Sequence, residues 1–218
     1  IASGILHCLE HGLSLADRCG GDAEEGLLAR LWGRARAIYT GVNLAKPRFS
    51  PDGRRVAFVE DGWIKVIGLR DRKVITIGRG DAAAWSHDGR RLIIARRIGK
   101  RGLSRLFLVE LDDGKPVPLT EKTFNLSDLA WDSRAQKLYI VGFLKDLSCL
   151  DLRTGAVTRF DFPKGDEPSI YFGVAGPTTV LDPEEGRLYV GLINLYKLQL
   201  YALDLREGTL ALVEEKVD

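Results

Sequence analysis

A pair of reverse turns recurs along the chain at a nearly constant separation, and this recurrence restricts the fold more than any other property of the sequence. The first turn of the pair is clearest at Ser50-Pro51-Asp52-Gly53 and Ser86-His87-Asp88-Gly89. Each is followed by two arginines and an apolar run, Val56 to Val59 or Leu92 to Ala95. Related turns stand at Glu10-His11-Gly12, Asp132-Ser133-Arg134-Ala135 and Asp182-Pro183-Glu184-Glu185-Gly186. A second turn follows each first one. Leu150 to Gly155 and Leu203 to Gly208 are close copies, Val109 to Gly114 matches them, Ile67 to Arg72 does so loosely, and Leu31 to Arg34 is the counterpart upstream. Read from the glycine or its equivalent, the pairs run from 12 to 33, 53 to 72, 89 to 114, 135 to 155 and 186 to 208, a separation of 19 to 25 residues each time. Asp, Gly and Pro at such positions reverse a chain between strands.

Between the turns lie strand-forming runs. Val74 to Ile77, Leu106 to Val109 and Leu198 to Leu203 are rich in aliphatic, β-branched and aromatic residues. Trp63 to Val66 and Val157 to Phe160 alternate apolar and polar side chains. A helical period is weak throughout except at Ala23 to Ala37, where acids come first and arginines last, an order that suits a helix dipole. The repeat frame reads that segment as a loop and two strands instead.

A four-strand unit of about 43 residues cannot bury both faces of its small sheet alone, and stacking such sheets around an axis covers both. The expected architecture is therefore all-β: a single β-propeller domain over 1–218, of five blades of four antiparallel strands. The approximate blades are 1–41, 42–80, 81–121, 122–165 and 166–218. A fragment of a larger propeller is the main alternative. No run of about 18 apolar residues exists, so no helical membrane span is expected.

Phe49 to Phe58 and Trp85 to Ile93 resemble the WD40-like PD40 repeat, well in these two copies and partly at Trp131 to Val141. That repeat occurs in TolB-type propellers and in the propeller domains of some prolyl oligopeptidase-family peptidases. The TolB-type resemblance implies protein or peptide binding at a propeller face. Nothing in the chain reads as TolB's separate N-terminal domain, and the hydrolase elbow GxSxG of the peptidases is missing.

Other motifs carry little chemistry. Gly78-Arg79-Gly80-Asp81-Ala82-Ala83 fits GxGxxA, but a dinucleotide site needs a helix next, and a strand ending at Trp85 follows. It reads, with its embedded Arg79-Gly80-Asp81, as a blade-to-blade loop. His7, His11 and His87 form no HxH or HExxH pair, and Cys8, Cys19 and Cys149 have no metal spacing, so no cofactor or metal is expected. Most aspartates sit on turns, where they cap backbone amides. Arginine exceeds lysine 21 to 11 while Asn, Gln and Met count 3, 2 and 0, a composition suited to a hot environment or a GC-rich genome.

The net charge of +2 conceals an uneven distribution. Lys46 to Arg105 holds 16 basic and 6 acidic residues, and the flanking parts are net acidic. In a propeller, the loops joining second to third strands and blade to blade share one face. Lys46, Arg79, Arg96, Arg97, Lys100, Arg101 and Arg105 are expected there, with Arg54, Arg55, Arg90 and Arg91 on the opposite face. This patch is either a solvated rim or an anion-binding surface. Apolar loops are expected beside it at Phe124 to Leu126 and Leu192 to Tyr196, with Trp63 and Trp85 packed between blades. The leading reading is a non-catalytic interaction module for a protein or peptide partner. The alternatives are an enzyme acting on carbohydrate or another small substrate in the central channel, and nucleic-acid binding through the basic sector.

Overall fold

The computed structural model describes residues 38–99, 102–142, 146–163, 178–193 and 197–217. They form an all-β propeller. Blade 1 consists of β1 (Leu44–Phe49), β2 (Arg55–Glu60), β3 (Trp63–Gly68) and β4 (Val74–Arg79). Blade 2 has β5 (Ala82–Trp85), β6 (Arg91–Ile98), β7 (Leu103–Glu110) and β8 (Pro116–Asn125). Blade 3 has β9 (Asp128–Asp132), β10 (Lys137–Val141), β11 (Leu147–Asp151) and β12 (Val157–Phe160). Blade 4 has β13 (Thr178–Asp182), β14 (Arg187–Ile193), β15 (Lys197–Asp204) and β16 (Leu210–Val217). Every sheet is antiparallel with its strands in chain order, and first strands of successive blades pack beside one another around the axis.

The described residues thus build four blades, not the expected five. The expected first blade, 1–41, lies outside the described residues except for 38–41, which join no strand.

The apolar runs are continuous because the middle strands are buried on both faces. In β6, Leu92 and Ile94 pack with Ala57, Val59, Ile64 and Val66 of blade 1, while Ile93 and Ala95 pack with Leu129, Leu138 and Ile140 of blade 3. Alternate residues of one strand therefore serve two interfaces. Blade 3 meets blade 4 through Tyr139, Val141 and Cys149 against Leu188, Val190 and Tyr201. Each large side chain buried this way contributes about 1.5–3 kcal/mol.

The turns are held by their own polar side chains. Ser50 Oγ accepts from Arg55 N at 2.9 Å and donates to Asp52 Oδ1 at 2.6 Å, and that oxygen also accepts from Arg54 N. Ser86 and Asp88 repeat the arrangement one blade on. Gly53 and Gly89 both take φ +66°, a conformation a side chain resists. In blades 3 and 4 an aspartate stands in the serine's place, and Asp132 and Asp182 each accept from two following amides.

The Gly78 to Ala83 stretch is a strand end, a two-residue link and the next strand, with no helix. Gly80 is required by close approach: a Cβ there would lie 2.8 Å from Ile64 Cγ1 and 3.0 Å from the Ala95 carbonyl. Phe124 and Asn125 belong to β8, and Leu126 after them is buried, so no exposed apolar loop forms there. Leu192 is buried within β14, and 194–196 lie outside the described residues.

Candidate functional site

The axis is crossed by a polar brace. Asp128 opens β9 and is 1% exposed. Its Oδ2 accepts from the Arg48 guanidinium of blade 1 and from both the amide (2.8 Å) and hydroxyl (2.9 Å) of Thr179 in blade 4. Arg48 also donates to the Thr179 carbonyl at 2.8 Å. Three blades are thereby joined by one carboxylate. Beside it, β1 carries a register shift between Ala45 and Arg48, and Lys46 takes φ +51°. Such a bulge re-aims a side chain, and Lys46 Nζ donates to the Ser127 carbonyl of the link between blades 2 and 3. Burial pulls the Lys46 pKa below the ordinary lysine value, with Asp128 and Asp81 opposing the shift and Arg48 and Arg97 adding to it.

At the mouth formed by the second-to-third-strand loops and the blade links stand the other expected basic residues. The Arg79 guanidinium lies 4.4 Å from the Trp63 ring centroid, and Arg96 lies 4.5 Å from that of Phe107. Arg96 Nε donates to the Arg79 carbonyl at 3.4 Å, which ties the two together. Arg96 and Arg105 are directly opposite across β6 and β7. Arg105 reaches Glu121 at 3.7 Å and Arg97 reaches Asp81 at 3.9 Å, both long, exposed pairs. Lys100 and Arg101 lie outside the described residues. The patch is thus two groups: Arg79, Arg96 and Arg105 on the flank joining blades 1 and 2, and Lys46 and Arg97 near Asp81 at the axis.

Trp63 corrects the sequence reading. It is not packed between blades but 37% exposed, under Arg79. It begins β3 next to the loop and belongs to none of the buried clusters of the described residues. Trp85 does pack between blades 1 and 2, with its indole N–H donating to the Arg48 carbonyl at 2.9 Å.

The opposite mouth, ringed by the first turns, opens into an axial funnel of about 350 Å³. All four blades line it, with Trp85, Leu129, Trp131 and Val180 among its apolar walls, Arg48 and Thr179 in its lining, and His87 and Arg134 on first turns. Arg55 and Arg91 stand near this mouth, over Trp85 and Trp131 at 5.4 and 5.5 Å. Sequence reading missed Arg48, Asp128 and Thr179. The only available signal was Asp128 itself, an aspartate that opens a strand rather than capping a turn. Among the described residues, no group of three or more His, Cys, Asp or Glu side chains has the arrangement of a metal site. No described helix is long and apolar enough to cross a membrane.

Comparison with solved structures places the fold. TolB from Acinetobacter baumannii superposes with a TM-score of 0.64 at 12% identity, over 83% of this chain and 46% of that one. A chain of the nidogen/laminin complex gives a TM-score of 0.55 at 14% identity, over 81% of this chain and 65% of that one. Oligogalacturonate lyase in complex with manganese gives 0.53 at 14% identity, over 82% and 55%. This chain is similar to TolB-type and other β-propellers in fold, and it spans about half the length of the first of these structures. No protein-family model matches the sequence, and a search of curated proteins finds no match. One fold here is shared by proteins of different roles, so function is argued from the site.

Proposed function

We propose that this propeller is a non-catalytic interaction module that binds an acidic protein or peptide at the mouth carrying Lys46, Arg79, Arg96, Arg97 and Arg105. The observation that carries the reading is the placement of Arg79 and Arg96. Both guanidinium groups rest on aromatic rings, neither is ion-paired with a described carboxylate, and Arg96 Nε donates to the Arg79 main-chain carbonyl. Stacking fixes the planar group while leaving its charge open to a partner. Arg105 directly opposite Arg96 adds like-charge repulsion, an arrangement that costs stability and is relieved when an anionic surface docks. Trp63 adds a partly exposed aromatic anchor, of the kind enriched at binding hot spots. The TolB-type fold is compatible with this role.

The test is fluorescence anisotropy with a labelled polyglutamate peptide at low and moderate salt, with an oligothymidylate strand as competitor. The expected result is binding that weakens about ten-fold or more when Arg79, Arg96 and Arg97 are replaced by Ser, with unchanged thermal unfolding. Binding unaffected by those substitutions would overturn the assignment. Preference for the oligonucleotide, with a steep salt dependence, would replace the acidic peptide by single-stranded nucleic acid.

A further inference from the structure

The funnel at the first-turn mouth is a separate cavity, and its chemistry differs from that of the basic face. Its volume of about 350 Å³ is at the small end of the range for small-molecule pockets. The walls bring two tryptophans, Trp85 and Trp131, together with Leu129 and Val180, which suits an apolar or aromatic body. Val180 is 60% exposed, so that wall stands open to an entering molecule.

Among the described residues, Arg134 has no carboxylate counter-charge and a second polar group has no acceptor. The Arg134 side chain meets His87 Nε2. Arginine can only donate, so that nitrogen accepts. No described carboxylate lies within ion-pairing distance of Arg134. Asp132 is the one carboxylate in the lining, and its Oδ1 is held by the Arg134 and Ala135 amides. The second feature is the indole N–H of Trp131, buried without an acceptor, as is Arg48 Nε. The matching indole of Trp85 does have an acceptor, the Arg48 carbonyl. Trp131 and Arg134 are three residues apart on the same strand end and turn. At the floor, Arg48 is already neutralised by Asp128, so the available positive charge is at the mouth.

We propose that the axial funnel binds a small carboxylate with an apolar or aromatic body. The body lies against Trp85, Leu129, Trp131 and Val180. The carboxylate pairs with Arg134 and takes the Trp131 N–H after a small side-chain adjustment. This site is independent of the acidic-partner surface, which lies at the other mouth.

The experiment is a titration of the full chain with 3-phenylpropionate, followed by calorimetry and by tryptophan emission. Its neutral amide, 3-phenylpropanamide, and the cation 3-phenylpropylamine serve as comparisons. The carboxylate is expected to bind, with the amide and amine about ten-fold weaker or more, the scale of one charge-assisted contact. Arg134→Gln and Val180→Glu, both at exposed positions, should weaken the carboxylate by a similar factor. Arg97→Gln at the opposite mouth should leave it unchanged. Circular dichroism establishes that each variant is folded. No binding of the carboxylate at about 10 mM, equal binding of the amide, or full affinity in folded Arg134→Gln would each overturn the proposal.

Discussion

Asp128 and Thr179 are joined twice, through the threonine amide and its hydroxyl, to the same carboxylate oxygen that holds Arg48. The three residues come from blades 3, 4 and 1, so this contact is the point where the ring is fastened across its axis. Removing one partner from a buried pair leaves the other charge uncompensated, which costs about 3–5 kcal/mol. Asp128→Ala should therefore lower stability by that order in urea melts. Adding Arg48→Met to it should recover part of the loss, because the stranded cation is then gone. Equal stability of wild type and Asp128→Ala would show that the brace is dispensable.

The turn aspartates set an acid limit. Hydrogen bonds from Ser50 and the Arg54 amide hold the Asp52 carboxyl below the usual range, and Ser86 and the Arg90 amide do the same for Asp88. Asp151 and Asp204 are lowered by the amides of their own turns. A folded-state pKa below the unfolded value means that the stabilisation is present above about pH 4 and is lost as pH falls through the folded pKa. Denaturation between neutral pH and about pH 2.5 should show a decline confined to the acid side. Replacing Asp52 and Asp88 with Asn, which keeps an acceptor oxygen, should flatten that decline.

Gly80 is placed by contact rather than by ligand chemistry. Gly80→Ala sets a methyl against Ile64 and the Ala95 carbonyl, and such overpacking costs about 1–3 kcal/mol. Gly99→Ala, where a Cβ meets open space at φ +61°, is limited to the left-handed backbone penalty of about 1 kcal/mol. Thermal denaturation of the two variants should rank them in that order.

Cys149 should be slow to react while the protein is folded. Burial between blades 3 and 4 pushes its thiol up to about 11, so little thiolate exists near pH 8. In a variant with Cys8 and Cys19 replaced by Ser, Ellman's reagent should modify the remaining thiol slowly in buffer and at an ordinary rate in urea. Rapid modification in buffer would mean that the interface between blades 3 and 4 opens readily.

Much of this fold was legible because its signals are local. Ser50, Asp52 and Gly53 determine their turn within six residues of chain, and the Leu92 to Ala95 run declares a strand buried on both faces. The division of arginines between two mouths also follows from strand order, and Arg55 and Arg91 do stand near the mouth opposite Arg79 and Arg96. What the sequence did not show were contacts set by a neighbouring blade, such as the Arg48, Asp128 and Thr179 brace, and the rim position of Trp63. Trp63 opens a strand and Trp85 closes one, and both were expected between blades, yet one lies under Arg79 at a rim and the other is covered by blades 1 and 2.

The sequence by itself determined the turn chemistry, the alternating burial and the order of strands within a blade, since each depends on residues a few positions apart. Only the tertiary structure decided that Arg48, Asp128 and Thr179 meet, that the funnel opens among the first turns, and that Arg96 faces Arg105 beside Arg79. Arg48 and Asp128 are 80 residues apart in the chain, and Arg48 and Thr179 are 131 apart. Whether such residues touch depends on the twist and stacking angle of whole sheets about the axis, quantities summed over many side chains and written in no single stretch.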